Sequence, residues 1–106
     1  MYRVTTPTFT YVLPIQTSTC DVVQVTFRQG DTDLIKTYEN ETLPSGMTFD
    51  GKNVVVQLTQ EETKAFKADD MIETQIRVLT NTDAAYASKV FKLTVNDVLN
   101  EEILNG

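Results

Sequence analysis

Along most of this chain apolar and polar side chains alternate one for one, and β-branched residues fill many of the alternating positions. Phe9, Tyr11 and Leu13 share one side of the segment Thr8 to Leu13, with Thr8, Thr10 and Val12 on the other. Val23, Val25 and Phe27 alternate with Gln24, Thr26 and Arg28. Ile72, Thr74, Ile76 and Val78 alternate with Glu73, Gln75 and Arg77. A period of two belongs to a strand with one buried face, whereas a helix needs 3.6. Thr alone accounts for 17 of the 106 residues, beside 12 Val and 5 Ile. These side chains are stiff at χ1 and suit a pleated surface. A slip of one residue would turn Val23, Val25 and Phe27 to water, so the register is strongly specified.

Turn chemistry divides the pattern. Pro7 and Pro14 bound the first strand, since neither can donate to a ladder. Gln16 to Asp21 is polar and reads as a loop. Gln29-Gly30-Asp31 joins Val22–Arg28 to Asp33–Glu39 as a hairpin, with a glycine free to take positive φ. Leu43-Pro44-Ser45-Gly46 is a turn with proline at its second position. Asp50-Gly51-Lys52, between Met47-Thr48-Phe49 and Asn53–Leu58, is the sharpest hairpin signal in the chain. Asn81-Thr82-Asp83 turns the long strand Met71–Thr80 back into Ala87–Val95, where Phe91, Leu93 and Val95 share a face.

One helix is expected. Thr59-Gln60-Glu61-Glu62 has the form of a capping box, with acidic residues in the first turn, where the helix dipole favours them. The spacing predicts about two turns, Gln60 to Lys67, with Ala65 and Phe66 facing the core. Phe66 is the anchor, because so short a helix does not persist alone. The expected fold is all-β, an immunoglobulin-like antiparallel β-sandwich of about seven strands with this one helix. A small closed barrel is the competing architecture. Phe27, Phe66 and Phe91 are expected inside. Residues 1–96 form a single β-sandwich domain, and 97–106 an acidic tail in which Val98, Leu99, Ile103 and Leu104 either line a short helix or fray.

Composition narrows the functions. The chain has no histidine, which removes the commonest general base and the commonest metal ligand. Its one cysteine can make neither an internal disulfide nor a thiolate zinc cluster. A net charge of −6, from 15 acids and 9 bases, argues against a nucleic-acid groove. No apolar run approaches the roughly 20 residues that cross a bilayer. Met1-Tyr2-Arg3-Val4-Thr5 has no apolar core behind it, so no secretory signal is expected.

Each candidate site has a plain structural explanation. Asp31-Thr32-Asp33 opens like a calcium loop, but Ile35 and Thr42 stand where further ligands belong, which leaves a solvated hairpin loop. Asp69-Asp70 reads as the turn after the helix. Glu61-Glu62 is the densest carboxylate pair, and capping accounts for it. Ser88 and Lys89 are adjacent on a strand and point to opposite faces, so they cannot act as a Ser-Lys pair. Cys20 has no neighbouring base and reads as a passive thiol. Asn40-Glu41-Thr42 matches a glycosylation sequon, without consequence where no secretory signal precedes it. Tyr2, Tyr11, Tyr38 and Tyr86 read as partly buried strand tyrosines, or alternatively as an aromatic platform for sugars or a partner. No catalytic, cofactor-binding or metal-binding residue is assigned, no cofactor is expected, and the chain is not expected to be an enzyme.

Several segments together resemble a known group. Thr6-Pro7-Thr8-Phe9-Thr10-Tyr11-Val12-Leu13-Pro14 resembles the opening of small prophage-encoded proteins of Gram-positive bacteria. Asp21–Gly30 is similar to their second strand, and Val56-Gln57-Leu58-Thr59-Gln60-Glu61-Glu62-Thr63-Lys64-Ala65-Phe66 is the most specific match. The Gln75-Ile76-Arg77 segment and the closing strand also match. The layout is similar to the N-terminal module of phage baseplate upper proteins. The resemblance implies a structural, protein–protein interaction role in a tail or baseplate, in the virion or in the bacterial cytoplasm during assembly. It implies other protein subunits as partners, a second copy included, with neither nucleic acid nor membrane involved, and it carries no catalytic residues. The long C-terminal extension that could bind a host receptor has no counterpart in these 106 residues, which favours an adaptor over an adhesin. The competing function is a carbohydrate-binding module for bacterial cell-surface glycans. A small enzyme working through carboxylates alone comes third.

Overall fold

Alternating segments become strands where turns let them pair. A computed structural model describes residues 1–105, with elements β1 (Thr8–Val12), β2 (Cys20–Gln29), β3 (Thr32–Tyr38), β4 (Met47–Asp50), β5 (Asn53–Gln57), α1 (Gln60–Lys64), β6 (Met71–Thr80), β7 (Ala85–Ala87) and β8 (Phe91–Thr94). The fold is all-β with one α-helix, in two antiparallel sheets. One sheet runs β1-β5-β4, and the other runs β3-β2-β6, with both β7 and β8 on the far side of β6. The two expected hairpins form at Gly30 and Gly51, whose φ angles are +56° and +60°. Each glycine holds the first central position of a two-residue loop, which needs positive φ. The chain changes sheet after β1, β3 and β5.

The two inner faces pack as the alternation requires. Val23, Val25, Phe27, Val54, Val56 and Ile72 are fully buried. Rings bridge the layers: Phe9 meets Phe27 with centroids 5.2 Å apart, and Tyr38 meets Phe49 edge-on at 4.9 Å. Leu58 and Phe66 close one end of this core.

Several expectations are corrected. The polar stretch from Gln16 to Asp21 is not all loop: Thr17–Thr19 forms a 3-10 turn, and β2 already begins at Cys20. The helix stops at Lys64 rather than Lys67. Phe66 must swing inward, and its amide bonds the Thr63 carbonyl at 3.3 Å, tightening the last turn. Ala65 is therefore exposed, and the inward position belongs to Thr63. The Thr63 hydroxyl accepts from the Thr5 amide (3.1 Å) and donates to the Thr5 carbonyl (3.0 Å), so a polar residue is satisfied in the core.

The closing strand is interrupted. Ser88 exchanges backbone and side-chain hydrogen bonds with Ile76, and the chain steps away from β6 before β8 resumes at Phe91. Eight strands result among the described residues. Phe91 lies opposite Thr74 on the inner face, as the alternation places it, yet it is 42% exposed rather than buried. Its strand is at the sheet margin, and the facing sheet ends at β1, so no strand covers its ring. The tail from Asp97 forms no helix over its described residues.

Candidate functional site

Two strand margins face each other across an open side of the sandwich. On one side is β1, the last strand of its sheet; on the other are the interrupted β7 and β8. Between them runs a groove of about 450 Å³, lined by Phe9, Thr10, Tyr11, Val12, Thr74, Ile76, Ser88, Phe91 and Leu93. The walls are mostly apolar. One polar contact spans the floor, where the Tyr11 hydroxyl meets Thr74 Oγ1 at 2.5 Å. Burial pushes the Tyr11 phenol up, against the opposing effect of the Thr74 bond. Val12, 74% exposed, marks its rim.

The backbone of β1 adds to this. Leu58 donates to the Pro7 carbonyl at 3.0 Å and Leu13 to the Lys52 carbonyl at 2.8 Å, in the register that pairs Phe9 with Val56 and Tyr11 with Val54. In an antiparallel ladder alternate residues turn to one neighbour. Positions 7, 9, 11 and 13 thus face β5, while Thr8, Thr10 and Val12 turn their N–H and C=O groups to the open margin.

The opposite side of the sandwich is closed by charge. Lys36 pairs with Val25, which puts its side chain on the inner face of β3. Its ammonium donates to the Ser45 carbonyl at 2.9 Å and lies 2.6 Å from Glu62 Oε2. The other carboxylate oxygen, Oε1, accepts from the Thr59 amide at 2.9 Å while Thr59 Oγ1 accepts from Glu62, completing the capping box. Burial works against the Glu62 carboxylate, but Lys36 and the Thr59 amide outweigh it and hold its pKa below the usual Glu range.

The other candidates are placed as structure. Asp33 is bound by Arg28 at 2.7 and 3.1 Å, and that contact lowers its pKa. Asp69, in the left-handed region, donates its amide to Val95 O, and Asp70 Oδ1 accepts from Met71 N, so the pair forms the turn into β6. Ser88 Oγ donates to Lys89 O, and the Lys89 ammonium lies 5.4 Å from the Phe91 ring. Cys20 is buried, and burial, with Asp21 adding to it, pushes its thiol up. Asn40 and Glu41 take the left-handed conformation in an exposed turn closed by Thr42 N to Glu39 O. Tyr11 is buried and Tyr38 packs on Phe49, while Tyr2 and Tyr86 are exposed. Tyr86 stands opposite Val78, and Tyr2 pairs with Asn96 beyond the other end of β6, about 30 Å away along the strand. The four tyrosines make no common surface. Among the described residues no group of three or more Asp, Glu, Cys or His is placed to hold a metal ion, and no helix is long and apolar enough to cross a membrane.

Three structural residues escape a reading of the pattern alone. Arg3 Nε donates to the Phe66 carbonyl and its Nη2 to the Lys64 carbonyl, while Nη1 bonds Asp97 and Glu101 of the tail. Gln60 exchanges two bonds with the Leu104 backbone, at 2.8 and 2.9 Å. Gln29 does the same with Lys67, at 2.7 and 2.9 Å. Only the alternation of β2, which turns Gln29 inward after Val25 and Phe27, hints at any of these contacts. No protein-family model matches this chain, and no curated protein matches it.

Proposed function

We propose that the chain is a non-enzymatic structural and interaction protein, a phage- or prophage-associated adaptor of a tail or baseplate that works through protein–protein assembly. The observation that carries the proposal is the apolar groove beside the free, uncharged margin of β1. Such a margin offers main-chain hydrogen bonds to an incoming strand, and the groove offers pockets for its side chains. One of the segments that resemble prophage-encoded proteins, Thr6–Pro14, forms this margin and adds support. Other protein subunits are the partners in this reading, and the virion, or the bacterial cytoplasm during assembly, is its place. The finer architectural part of the proposal is an immunoglobulin-like sandwich of about seven strands, counting β7 and β8 as one interrupted strand.

Sedimentation velocity of the purified protein, alone and mixed with tail and baseplate proteins encoded near it, tests the proposal. A faster co-sedimenting boundary with one of them is the expected result. If the chain sediments unchanged beside every one of them, the adaptor role fails.

A further inference from the structure

The two layers match strand for strand except at one place. Phe49 of β4 packs on Tyr38 of β3, Phe9 of β1 packs on Phe27 of β2, and the Tyr11 hydroxyl of β1 reaches Thr74 of β6. The smaller sheet therefore lies over β3, β2 and β6. β7 and β8 both pair with β6 and form a single row beyond it, and among the described residues no strand covers that row. Tyr86, opposite Val78, and Phe91, opposite Thr74, stand on its inner face and stay 46% and 42% exposed. The smaller sheet is thus short by one strand, and the place of that strand is bordered by the uncharged margin of β1. A folded sheet edge cannot enter there. β7 and β8 extend past β1 and take the space that the second layer of an approaching sandwich would need. A single extended segment has no second layer and fits.

We propose that this place takes one extended segment of a partner protein, which pairs with β1 as a fourth strand of the smaller sheet. This deepens the assembly reading and rests on it, by naming what the partner presents. The outward-turned residues Thr8, Thr10 and Val12 supply amides and carbonyls, so main-chain bonds hold the segment whatever its sequence. The period of two then fixes its side chains. Positions beside Phe9 and Tyr11 face inward onto Phe91 and Leu93 and are apolar. Positions beside Thr8, Thr10 and Val12 face water and are polar. Charge adds a further mark. No charged side chain lines the groove, but the Lys89 ammonium stands 5.4 Å from the Phe91 ring, without an ionic partner among the described residues. In a chain of net charge −6 this is a local positive point, and it selects an acidic residue flanking the segment. The partner thus presents about five residues, the length of β1, alternating apolar and polar, with a carboxylate at one end. So short a contact falls below the ~1,200 Å² of a standard interface, and the isolated segment binds weakly.

NMR titration of the isotope-labelled full chain with a blocked peptide, Asp-Val-Thr-Leu-Thr-Val-Asp, tests the proposal. Saturable shifts are expected at the Thr8, Thr10 and Val12 amides and at Phe91, with hydrogen exchange slowed at those three amides and not at β3 or β4. The same peptide with its five central amides methylated keeps its side chains but donates no main-chain bond from them, and should bind at least about tenfold more weakly. Thr10→Pro removes one outward amide and spares the β5 ladder, because the missing N–H lies on the open side. It should weaken binding at least about fivefold. Phe91→Ala, which removes an exposed floor ring, should do the same. Circular dichroism confirms that each variant is folded. Lys89→Glu should reverse the charge preference, toward the peptide with lysine at both ends. Equal binding of the methylated peptide, or no shift at β1 with millimolar peptide, overturns the strand pairing. An unchanged preference in Lys89→Glu overturns the acidic flank. A tail or baseplate protein that co-sediments equally with the parent and with folded Thr10→Pro removes this docking place and leaves the adaptor reading standing.

Discussion

Lys36 and Glu62 are among the most consequential single residues. Both are largely withdrawn from water, with side chains 9% and 19% exposed, and each is the other's only ionic partner among the described residues. Removing one partner of a buried pair leaves the other uncompensated. Glu62→Ala, which also removes half of the capping box, should cost about 3 kcal/mol in urea unfolding at neutral pH. The pH dependence follows from the direction of the Glu62 shift. Its folded pKa lies below the ordinary 4.5, so the unfolded chain binds the proton more readily in acid. The carboxylate's contribution is complete above that ordinary value and is lost as pH falls through the lowered one. Denaturant midpoints should therefore drop below about pH 5 more steeply in the parent than in Glu62→Gln. Gly46 is a second sensitive position. At φ +83°, a Cβ there would sit 2.3 Å from the Gln57 carbonyl oxygen, and the Gly46 carbonyl accepts the Gln57 amide. Gly46→Ala should cost more than about 2 kcal/mol, while Gly30→Ala, which meets open space, should cost about 1.

Among the elements, α1 and the tail depend on contacts far away in sequence. Arg3 satisfies two carbonyls at the end of α1 and two carboxylates of the tail, so one side chain joins the N-terminal arm, helix and tail. Arg3→Gln should speed cleavage at Glu101 and Glu102 by a glutamate-specific protease at least severalfold, while thermal melting of the sheets falls only slightly. The strands themselves were legible from alternation, because a period of two is a local property that tertiary structure can only use or discard. The Asp-Gly hairpin and the capping box were legible for the same reason: each is complete within four residues. The end of the helix was not, since it is set by the burial of Phe66. The exposure of Phe91 was also hidden, because alternation assigns a face but not whether another sheet reaches over it. For the candidate site, the free margin of β1 was legible only as an uncharged strand. Its partner-free side emerges from a strand order that pairs β1 with β5 across 40 intervening positions.

At the scale of the whole molecule, the ladders that join distant segments govern assembly of the fold. β1 must find β5, and β2 must find β6, before either sheet is complete. Chains dominated by such pairings fold slowly, because loop closure comes before the reward of contact. Stopped-flow refolding from urea should give a main phase of about 10 milliseconds to seconds, and a Phe9→Ala change should act mostly by speeding unfolding. The described ends of the chain lie outside the named strands and are fastened by separate contacts. Met1 bonds to Thr94, Arg3 to Asp97 and Glu101, and Gln60 to Leu104. A pull applied to both ends would load these peripheral fastenings first and spare the ladders until they gave way, so the sandwich is built to shed mechanical tension from its periphery inward.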